Sequence, residues 1–109
     1  MEYYVCEIET LKQKRKIRFK AKNRYILVAY TDNGIFAISD KCPHMGSSLF
    51  YGILSDGEIK CKDHGLPISV ETGKVTNLNI AKALRLDEYS LDVRTFKTVI
   101  KDNKIYLDI

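Results

Sequence analysis

Several residue types that support common functions are scarce in this sequence. Its 109 residues include two histidines, three cysteines and no tryptophan. The longest apolar run, Tyr25 to Tyr30, has six residues, whereas a helix that crosses a bilayer needs about 20. The first residues lack the basic and apolar regions of a secretion signal. We therefore expect a cytoplasmic protein with no membrane contact.

The low cysteine count also bears on chemistry. Three cysteines cannot all pair with one another, and a reducing compartment keeps cysteines as thiols. Metal binding or catalysis is therefore favoured over a disulfide framework. The six glycines are too widely spaced for a dinucleotide fingerprint or a phosphate loop, so we expect no nicotinamide binding by this chain. No repeat or flexible linker divides the sequence, which predicts a single domain over residues 1–109.

Short segments rich in Val, Ile, Tyr and Phe alternate with turn signals, and no segment keeps a helical apolar period over three turns. This pattern predicts an all-β fold. One hairpin is predicted around Asp32-Asn33-Gly34 and another around Asp102-Asn103, because Asn and Gly tolerate the positive φ of tight turns. A further strand is predicted at Glu58 to Lys60, and a helical turn is considered only for Ala81 to Glu88.

The most informative feature is a pair of short Cys/His segments. Cys42 and His44 are separated by one residue, and Cys61 and His64 by two, with sixteen residues between His44 and Cys61. Any one of these residues alone is better explained as part of a core. Two thiols and two imidazoles in matching glycine-containing loops indicate one metal site. A tetrahedral Cys2His2 zinc site is one alternative, although zinc ligands usually come as Cys-Cys and His-His pairs.

With this spacing, the sequence resembles the Rieske iron-sulfur family, whose pattern is Cys-x-His, a gap of similar length, and Cys-x-x-His. The resemblance covers almost the whole chain, and it extends to residues around the ligands and to a later turn: Gly46, Leu49, Gly52, Ile59, Gly65 and Thr72-Gly73-Lys74-Val75.

The resemblance implies one [2Fe-2S] cluster per chain, in which Cys42 and Cys61 bind one iron and His44 and His64 bind the other. It also implies a small antiparallel Rieske-like β-sandwich or barrel with an inserted cluster-binding lobe. We place the lobe at about residues 40–75 and the base sheet at residues 1–39 and 76–109. No catalytic residue is assigned.

Two differences from family members affect this comparison. Rieske proteins of respiratory complexes add one cysteine to each loop, joined as a disulfide, and a serine after the second loop's glycine. This chain has Ser47, Asp63 and Leu66 at those places, so it resembles the ferredoxin type and a reduction potential at the low end of the range is expected. It also lacks the proline that family members commonly carry in a third loop, here residues 76–84.

Two further features lie outside the Cys/His segments. Cys6 is expected to be a core cysteine, on one strand face with Tyr4 and Ile8. Eight cations without an acidic residue lie between Lys12 and Arg24, and part of this run alternates with apolar residues as a strand with one charged face. A solvated sheet edge is the simplest explanation, and docking of an acidic protein is the alternative. No nucleic-acid partner is expected, since no aromatic platform for stacking bases is evident.

These observations predict a one-electron carrier rather than an enzyme. Both histidines are already assigned, so none remains for the mononuclear iron of an oxygenase. The first hypothesis is a ferredoxin that passes electrons from a reductase to a terminal oxidoreductase. Two others stay open at this point: a small subunit of a nitrite-reductase-like complex, and a zinc-binding interaction module.

Overall fold

A computed structural model describes residues 1–43, 46–63, 65–84 and 92–109 of the chain. Both histidines, Met45 and residues 85–91 fall outside the described residues. The described part is built from antiparallel strands, as predicted, with two short helices. In chain order the elements are β1 (Glu2–Glu7), α1 (Ile8–Lys14), β2 (Lys16–Ala21), β3 (Arg24–Thr31), β4 (Gly34–Ser39), a 3₁₀ turn (Leu49–Tyr51), β5 (Ile53–Ser55), β6 (Glu58–Lys60), β7 (Pro67–Ser69), α2 (Leu78–Ala83), β8 (Thr95–Lys101) and β9 (Lys104–Asp108).

The strands form two antiparallel sheets. The larger sheet has the order β1-β9-β8-β4-β3-β2, so it combines the two ends of the chain and leaves β2 at one edge. The smaller sheet has the order β5-β6-β7 and lies between β4 and β8 in sequence. An insertion between two paired strands of the larger sheet therefore carries its own small sheet.

Both predicted hairpins are confirmed. β3 pairs with β4 across the turn at Asp32 and Asn33, and β8 pairs with β9 across Asp102 and Asn103. Asp102 and Asn103 adopt φ values of 51° and 63°, as a two-residue hairpin turn with a right-handed strand twist requires. The strand at Glu58 to Lys60 is confirmed as β6.

Strand β3 separates two buried clusters because successive side chains point to opposite faces of a sheet. Ile26 and Val28 face a base cluster that includes Leu11, Ile105 and Leu107. Leu27 and Ala29 face the other side, where they pack in a second cluster that contains Cys42 and Cys61. The small sheet therefore covers one face of the large sheet, and residues of both fill the space between them.

Two predictions about local structure need correction, and one helix was not predicted. The strand predicted through Ile8 ends at Glu7, and the register of β1 shifts between Tyr4 and Cys6, so these residues do not share one regular strand face. The seven-residue helix α1 was not predicted, because it is too short to show an apolar period over three turns. Helix α2 begins at Leu78, before the predicted Ala81, and the residues from 85 onward in that prediction lie outside the described part.

No helix among the described residues is both long and apolar enough to cross a membrane.

Candidate functional site

The first Cys/His segment is a tight loop held by its own backbone. We call residues 42–47 the first ligand loop. The backbone N–H of Cys42 donates to the carbonyl of Ser47 at 2.7 Å, and the N–H of Gly46 donates to the carbonyl of Cys42 at 2.8 Å. Gly46 has a φ of 76°, a conformation that costs glycine little and other residues more. These two bonds connect the two ends of the first ligand loop, and His44 lies outside the described residues.

The second ligand loop, residues 61–66, repeats this arrangement position by position. The N–H of Cys61 donates to the carbonyl of Leu66 at 3.0 Å, and the N–H of Gly65 donates to the carbonyl of Cys61 at 2.8 Å. Gly65 has a φ of 70°, close to that of its counterpart. His64 also lies outside the described residues. The two loops thus have the same backbone hydrogen bonds, although the sequence spacing of cysteine and histidine differs by one residue.

Both loop cysteines are removed from solvent. Cys42 is 1% exposed and Cys61 is 3% exposed, and the two belong to one buried apolar cluster with Leu49, Ile59 and Leu66. The structure therefore brings the two predicted thiol ligands to the same region. The third cysteine, Cys6, is half-buried and packs against the base cluster on the other side of β3. Burial raises the pKa of the Cys6 thiol.

A side-chain hydrogen bond joins the two ligand loops. The hydroxyl of Ser47 donates to a carboxylate oxygen of Asp63, sixteen residues later in the chain. These are the places where, by the resemblance described above, respiratory Rieske proteins have a disulfide. An exposed hydrogen bond contributes far less than a covalent link, typically about 0.5–1.5 kcal/mol. This chain therefore connects the two loops by a weaker and reversible contact.

A buried carboxylate fixes the start of the first loop. Asp40, whose side chain is fully buried, accepts a hydrogen bond from Arg18 Nε at 2.6 Å and another from the backbone N–H of Phe50 at 2.7 Å. The hydroxyl of Ser48 donates to the same carboxylate. Burial of a carboxylate is unfavourable unless it is paired and hydrogen-bonded, and these three donors satisfy that condition. Asp40 thus ties strand β2 and the segment after the first loop to a point two residues before Cys42.

Lys16 makes a second connection, between β2 and the 3₁₀ turn that precedes the small sheet. Its ammonium donates to the carbonyls of Phe50 and Gly52, the latter at 2.8 Å, and lies 4.7 Å from the centre of the Phe50 ring. Burial lowers the pKa of Lys16. The hydrogen bond to Asp40 raises the pKa of Arg18. Two cations of the predicted basic run therefore make structural contacts at the site, while the side chain of Arg18 remains partly exposed on the edge strand.

Sequence reasoning did not identify Asp40, Lys16 or Arg18 as residues of the site. Arg18 and Asp40 are 22 residues apart in sequence, and no local spacing rule links them. A usable signal was the position of Asp40, an acidic residue that directly follows the buried strand β4.

In the third loop, where family members commonly have a proline, this chain forms the short helix α2. The side chain of Asn77 accepts hydrogen bonds from the backbone N–H groups of Asn79 and Ile80 and so caps the helix. Ala81 is buried, and Ile80 packs against the cluster that contains the two loop cysteines. A capped helical turn therefore packs against the buried cluster in the segment where family members commonly have a proline.

The donor set fits an iron-sulfur cluster. Two buried thiols come from loops of equal backbone geometry, and each loop also carries a histidine, which matches the two-thiolate, two-imidazole ligation of Rieske centres. Among residues 1–43, 46–63, 65–84 and 92–109, no group of three or more His, Cys, Asp and Glu side chains forms a metal site. The fit thus rests on the two thiols and on loop geometry.

Comparison with known proteins identifies a matching family and several similar proteins. The profile of the Rieske [2Fe-2S] domain matches residues 1–97. The chain is 30% identical over 112 residues to apoptosis-inducing factor 3 of Mus musculus, and this match covers 100% of the chain and 18% of that protein. It is 27% identical over 111 residues to the 3-phenylpropionate/cinnamic acid dioxygenase ferredoxin subunit of Photorhabdus laumondii, which covers 99% of the chain and 94% of that protein.

A solved structure shows the same fold. The ferredoxin of carbazole 1,9a-dioxygenase from Nocardioides aromaticivorans superposes with a TM-score of 0.82 at 24% identity, covering 98% of this chain and 96% of that one. The chain therefore spans less than a fifth of the first relative above and nearly all of the two ferredoxins.

Proposed function

Because the chain belongs to the family of Rieske [2Fe-2S] domains, we propose that it is a one-electron carrier, a ferredoxin component that passes electrons from a reductase to a terminal oxidoreductase. The observation that carries this proposal is the pair of ligand loops with equal backbone hydrogen bonds, each with a buried cysteine. The cofactor of the family, a [2Fe-2S] cluster, takes up and releases one electron at a potential that its ligands set.

We propose the ligands residue by residue. The thiolates of Cys42 and Cys61 would hold one iron, and the imidazoles of His44 and His64 would hold the other. Burial of both thiols among Leu49, Ile59 and Leu66 supports this assignment, since it excludes water from the cysteine side of the site. The hydrogen bonds of Ser47 and Asp40 keep the loops in place while the charge of the site changes.

The terminal partner we favour is an oxygenase. Two similar proteins that match almost over their full length are ferredoxins of dioxygenases. This chain would supply electrons and leave catalysis to the partner, because both of its histidines are assigned to the cluster and none remains for a mononuclear iron site. The limits of the cluster-binding lobe, about residues 40–75, and a cytoplasmic location remain predictions.

A second candidate is a subunit or domain of a larger oxidoreductase, such as a nitrite-reductase-like complex. The similarity to a small part of apoptosis-inducing factor 3 favours it, because there a comparable segment occurs within a much longer chain. Gel filtration and native pull-down separate the two candidates. A carrier elutes alone and a subunit co-purifies stoichiometrically.

A zinc module is disfavoured by family membership. Purified protein with one zinc and no sulfide would support the zinc module again.

A relay assay tests the carrier function. A flavoprotein reductase that reduces ferredoxins would be mixed with NADH or NADPH as the source of electrons, with cytochrome c as the final acceptor, and with catalytic amounts of the purified holoprotein. We expect cytochrome c reduction to rise in proportion to added holoprotein and to be absent with protein from which iron has been removed. Equal rates with and without the holoprotein would contradict the proposal.

For partner binding we propose the basic run Lys12 to Arg24, whose charge favours an acidic protein surface. In the structure this run spans the last three residues of α1, all of β2, the turn before β3 and the first residue of β3. The contacts of Lys16 and Arg18 with the site bring β2 close to the first ligand loop.

A further inference from the structure

The charged face of β2 lies on the same side of the large sheet as the ligand loops. In the antiparallel pairing, Arg18 is opposite Leu27 and Lys20 is opposite Tyr25. Directly opposed residues share one face of a sheet. Leu27 is buried in the cluster that contains both loop cysteines, so its face is the one covered by the small sheet. The cationic side chains of β2 therefore lie on the face of the large sheet that carries the site, and they form a row that begins beside the site.

Two exposed tyrosines lie among these cations. Tyr25 is 41% exposed and Tyr51 is 60% exposed. The Arg18 guanidinium lies 3.7 Å from the centre of the Tyr25 ring, and the Lys20 ammonium lies 5.6 Å from it. At the other tyrosine, the Lys62 ammonium lies 5.9 Å from the ring centre of Tyr51. Each ring thus has at least one cation over its face, within the range of cation–π attraction.

The two tyrosines belong to one continuous surface because the 3₁₀ turn that carries Tyr51 packs on β2. Lys16 donates to the carbonyls on both sides of Tyr51, those of Phe50 and Gly52. The pKa of Arg18 is raised first by its hydrogen bond to Asp40 and, to a smaller extent, by Tyr51 and Tyr25, so Arg18 lies near both tyrosines. We call Lys20, Tyr25, Arg18, Tyr51 and Lys62 the tyrosine–cation strip. It runs from the sheet edge to Lys62, the residue that follows Cys61 in the second ligand loop.

The charge of the strip is positive. The buried carboxylate of Asp40 balances Arg18. Within the part of the chain that the structure describes, no carboxylate lies at ion-pair distance from Lys20 or Lys62. Tyrosine and arginine are enriched in protein interfaces, where aromatic rings give contact area and lose little conformational freedom. Exposed tyrosines beside lysines that form no ion pair with another described residue thus fit a partner surface that has carboxylates around an apolar centre.

We propose that the tyrosine–cation strip is the docking surface for the acidic face of a redox protein. The proposal rests on the electron-carrier function. Within the basic run it limits the docking surface to the side chains of β2 and its neighbours on the face covered by the small sheet, and it adds Lys62 of the second ligand loop. A partner seated on Tyr51 and Lys62 contacts the second ligand loop, whereas a partner on Lys12 or Lys14 alone would sit on helix α1. The strip therefore combines attraction of the partner with placement close to the site.

Zero-length cross-linking tests binding separately from electron transfer. The holoprotein is mixed with a plant-type [2Fe-2S] ferredoxin, a small acidic redox protein, and with a water-soluble carbodiimide. A lysine amine and a carboxylate then form an amide, and the carbodiimide takes up the water as a urea. We expect cross-linked peptides that contain Lys20 and Lys62, and their loss at high salt. Cross-links spread evenly over surface lysines, or concentrated at Lys104, would overturn the proposal.

Stopped-flow reduction provides the second readout. The oxidised holoprotein is mixed with the reduced plant-type ferredoxin, and one electron passes from donor to acceptor. At about 0.01–0.02 M salt, we expect Lys20→Glu and Lys62→Glu each to lower the second-order rate constant about 3- to 10-fold, and about 0.5 M salt to remove most of this difference. The neutral variants Lys20→Gln and Lys62→Gln should show smaller decreases of the same kind.

Lys104→Glu is the matched control because it changes net charge equally. Lys104 lies beyond the far end of β8, whose other end pairs with Ile38 near the first ligand loop. We expect a less than twofold effect from it. If Lys104→Glu is as slow as the strip variants, net charge alone matters and the strip is refuted. If the wild-type protein accepts no electron or cannot pass it to an inorganic oxidant, the carrier function itself fails, and the cross-linking pattern still decides the docking surface.

Discussion

At the scale of single residues, Asp40 is the residue whose chemistry most constrains the site. Its carboxylate is removed from water and accepts hydrogen bonds from Arg18, Ser48 and the backbone of Phe50. A buried charge with three donors is stable in place, but loss of the charge leaves the arginine without its partner. Asp40 therefore holds together β2, the first ligand loop and the 3₁₀ turn.

Replacing Asp40 with asparagine tests this role. The substitution keeps the shape but removes the charge and replaces one acceptor oxygen with an NH2 group that faces hydrogen-bond donors. We expect it to destabilise the protein by about 2–4 kcal/mol, and cluster absorbance to be lost at least about tenfold faster in urea with an iron chelator. Asp108→Asn is the control, because Asp108 is a partly exposed carboxylate in a surface ion pair. A change of less than about twofold is expected there. Equal rates for the two variants would refute the role of Asp40.

Cys6 lies outside the ligand loops and is half-buried, and its rate of alkylation tests the effect of this burial on the thiol. Burial raises the pKa of its thiol, so the reactive thiolate is a smaller fraction at a given pH than in an unstructured peptide. We expect iodoacetamide to modify Cys6 more slowly than a peptide thiol at pH 8, and the rate to rise further with pH. Cys6→Ala should leave the cluster spectrum unchanged. A spectrum altered as much by Cys6→Ala as by Cys42→Ala would mean that the proposed ligand set is wrong.

At the scale of elements, the two ligand loops show what the sequence could and could not predict. The paired Cys and His with nearby glycines predicted two matching loops, and the structure confirms equal backbone bonds in both. The hairpins were predictable because their turns contain Asn or Gly, and Gly34, Asp102 and Asn103 adopt positive φ. Helix α1 and the bulge in β1 were not, because their form depends on packing of Leu11 and Cys6 against β9 and other distant strands.

Gly52 provides a test of how closely the segment between the 3₁₀ turn and β5 packs on β6. A Cβ atom at Gly52 would lie 2.0 Å from the backbone carbonyl oxygen of Lys60, the residue before Cys61. Backbone cannot yield as a flexible side chain does, so we expect Gly52→Ala to cost about 3 kcal/mol or more. Gly57→Ala is the control. A Cβ atom at Gly57 would meet nothing within 4 Å, so only the φ of 77° is unfavourable for alanine. We expect this substitution to cost about 1–2 kcal/mol of stability. The temperature at which cluster absorbance is lost should fall more for Gly52→Ala, and the reverse order would refute the packing argument.

At the scale of the whole molecule, the arrangement of the two sheets explains why a basic run can serve an electron carrier. Lys16 binds the segment just before the small sheet, and Arg18 binds Asp40 just before the first ligand loop, while Lys20 lies on the same face of β2 and is exposed to solvent. The sequence predicted a strand with one charged face and an edge position, and β2 is an edge strand. It could not show which side of the sheet that face occupies, because this depends on pairing of β2 with β3 and on the small sheet that covers Leu27.

The central claim is that this chain carries one electron on a cluster held by two cysteines and two histidines. Anaerobic reductive titration of protein with ¹⁵N-labelled histidine, followed by electron spin resonance, tests it most directly. We expect two irons and two sulfides per chain. We also expect uptake of one electron per chain and a paramagnetic signal whose nitrogen couplings change with the label. Zinc in place of iron, or a reduced signal without histidine nitrogen coupling, would contradict it.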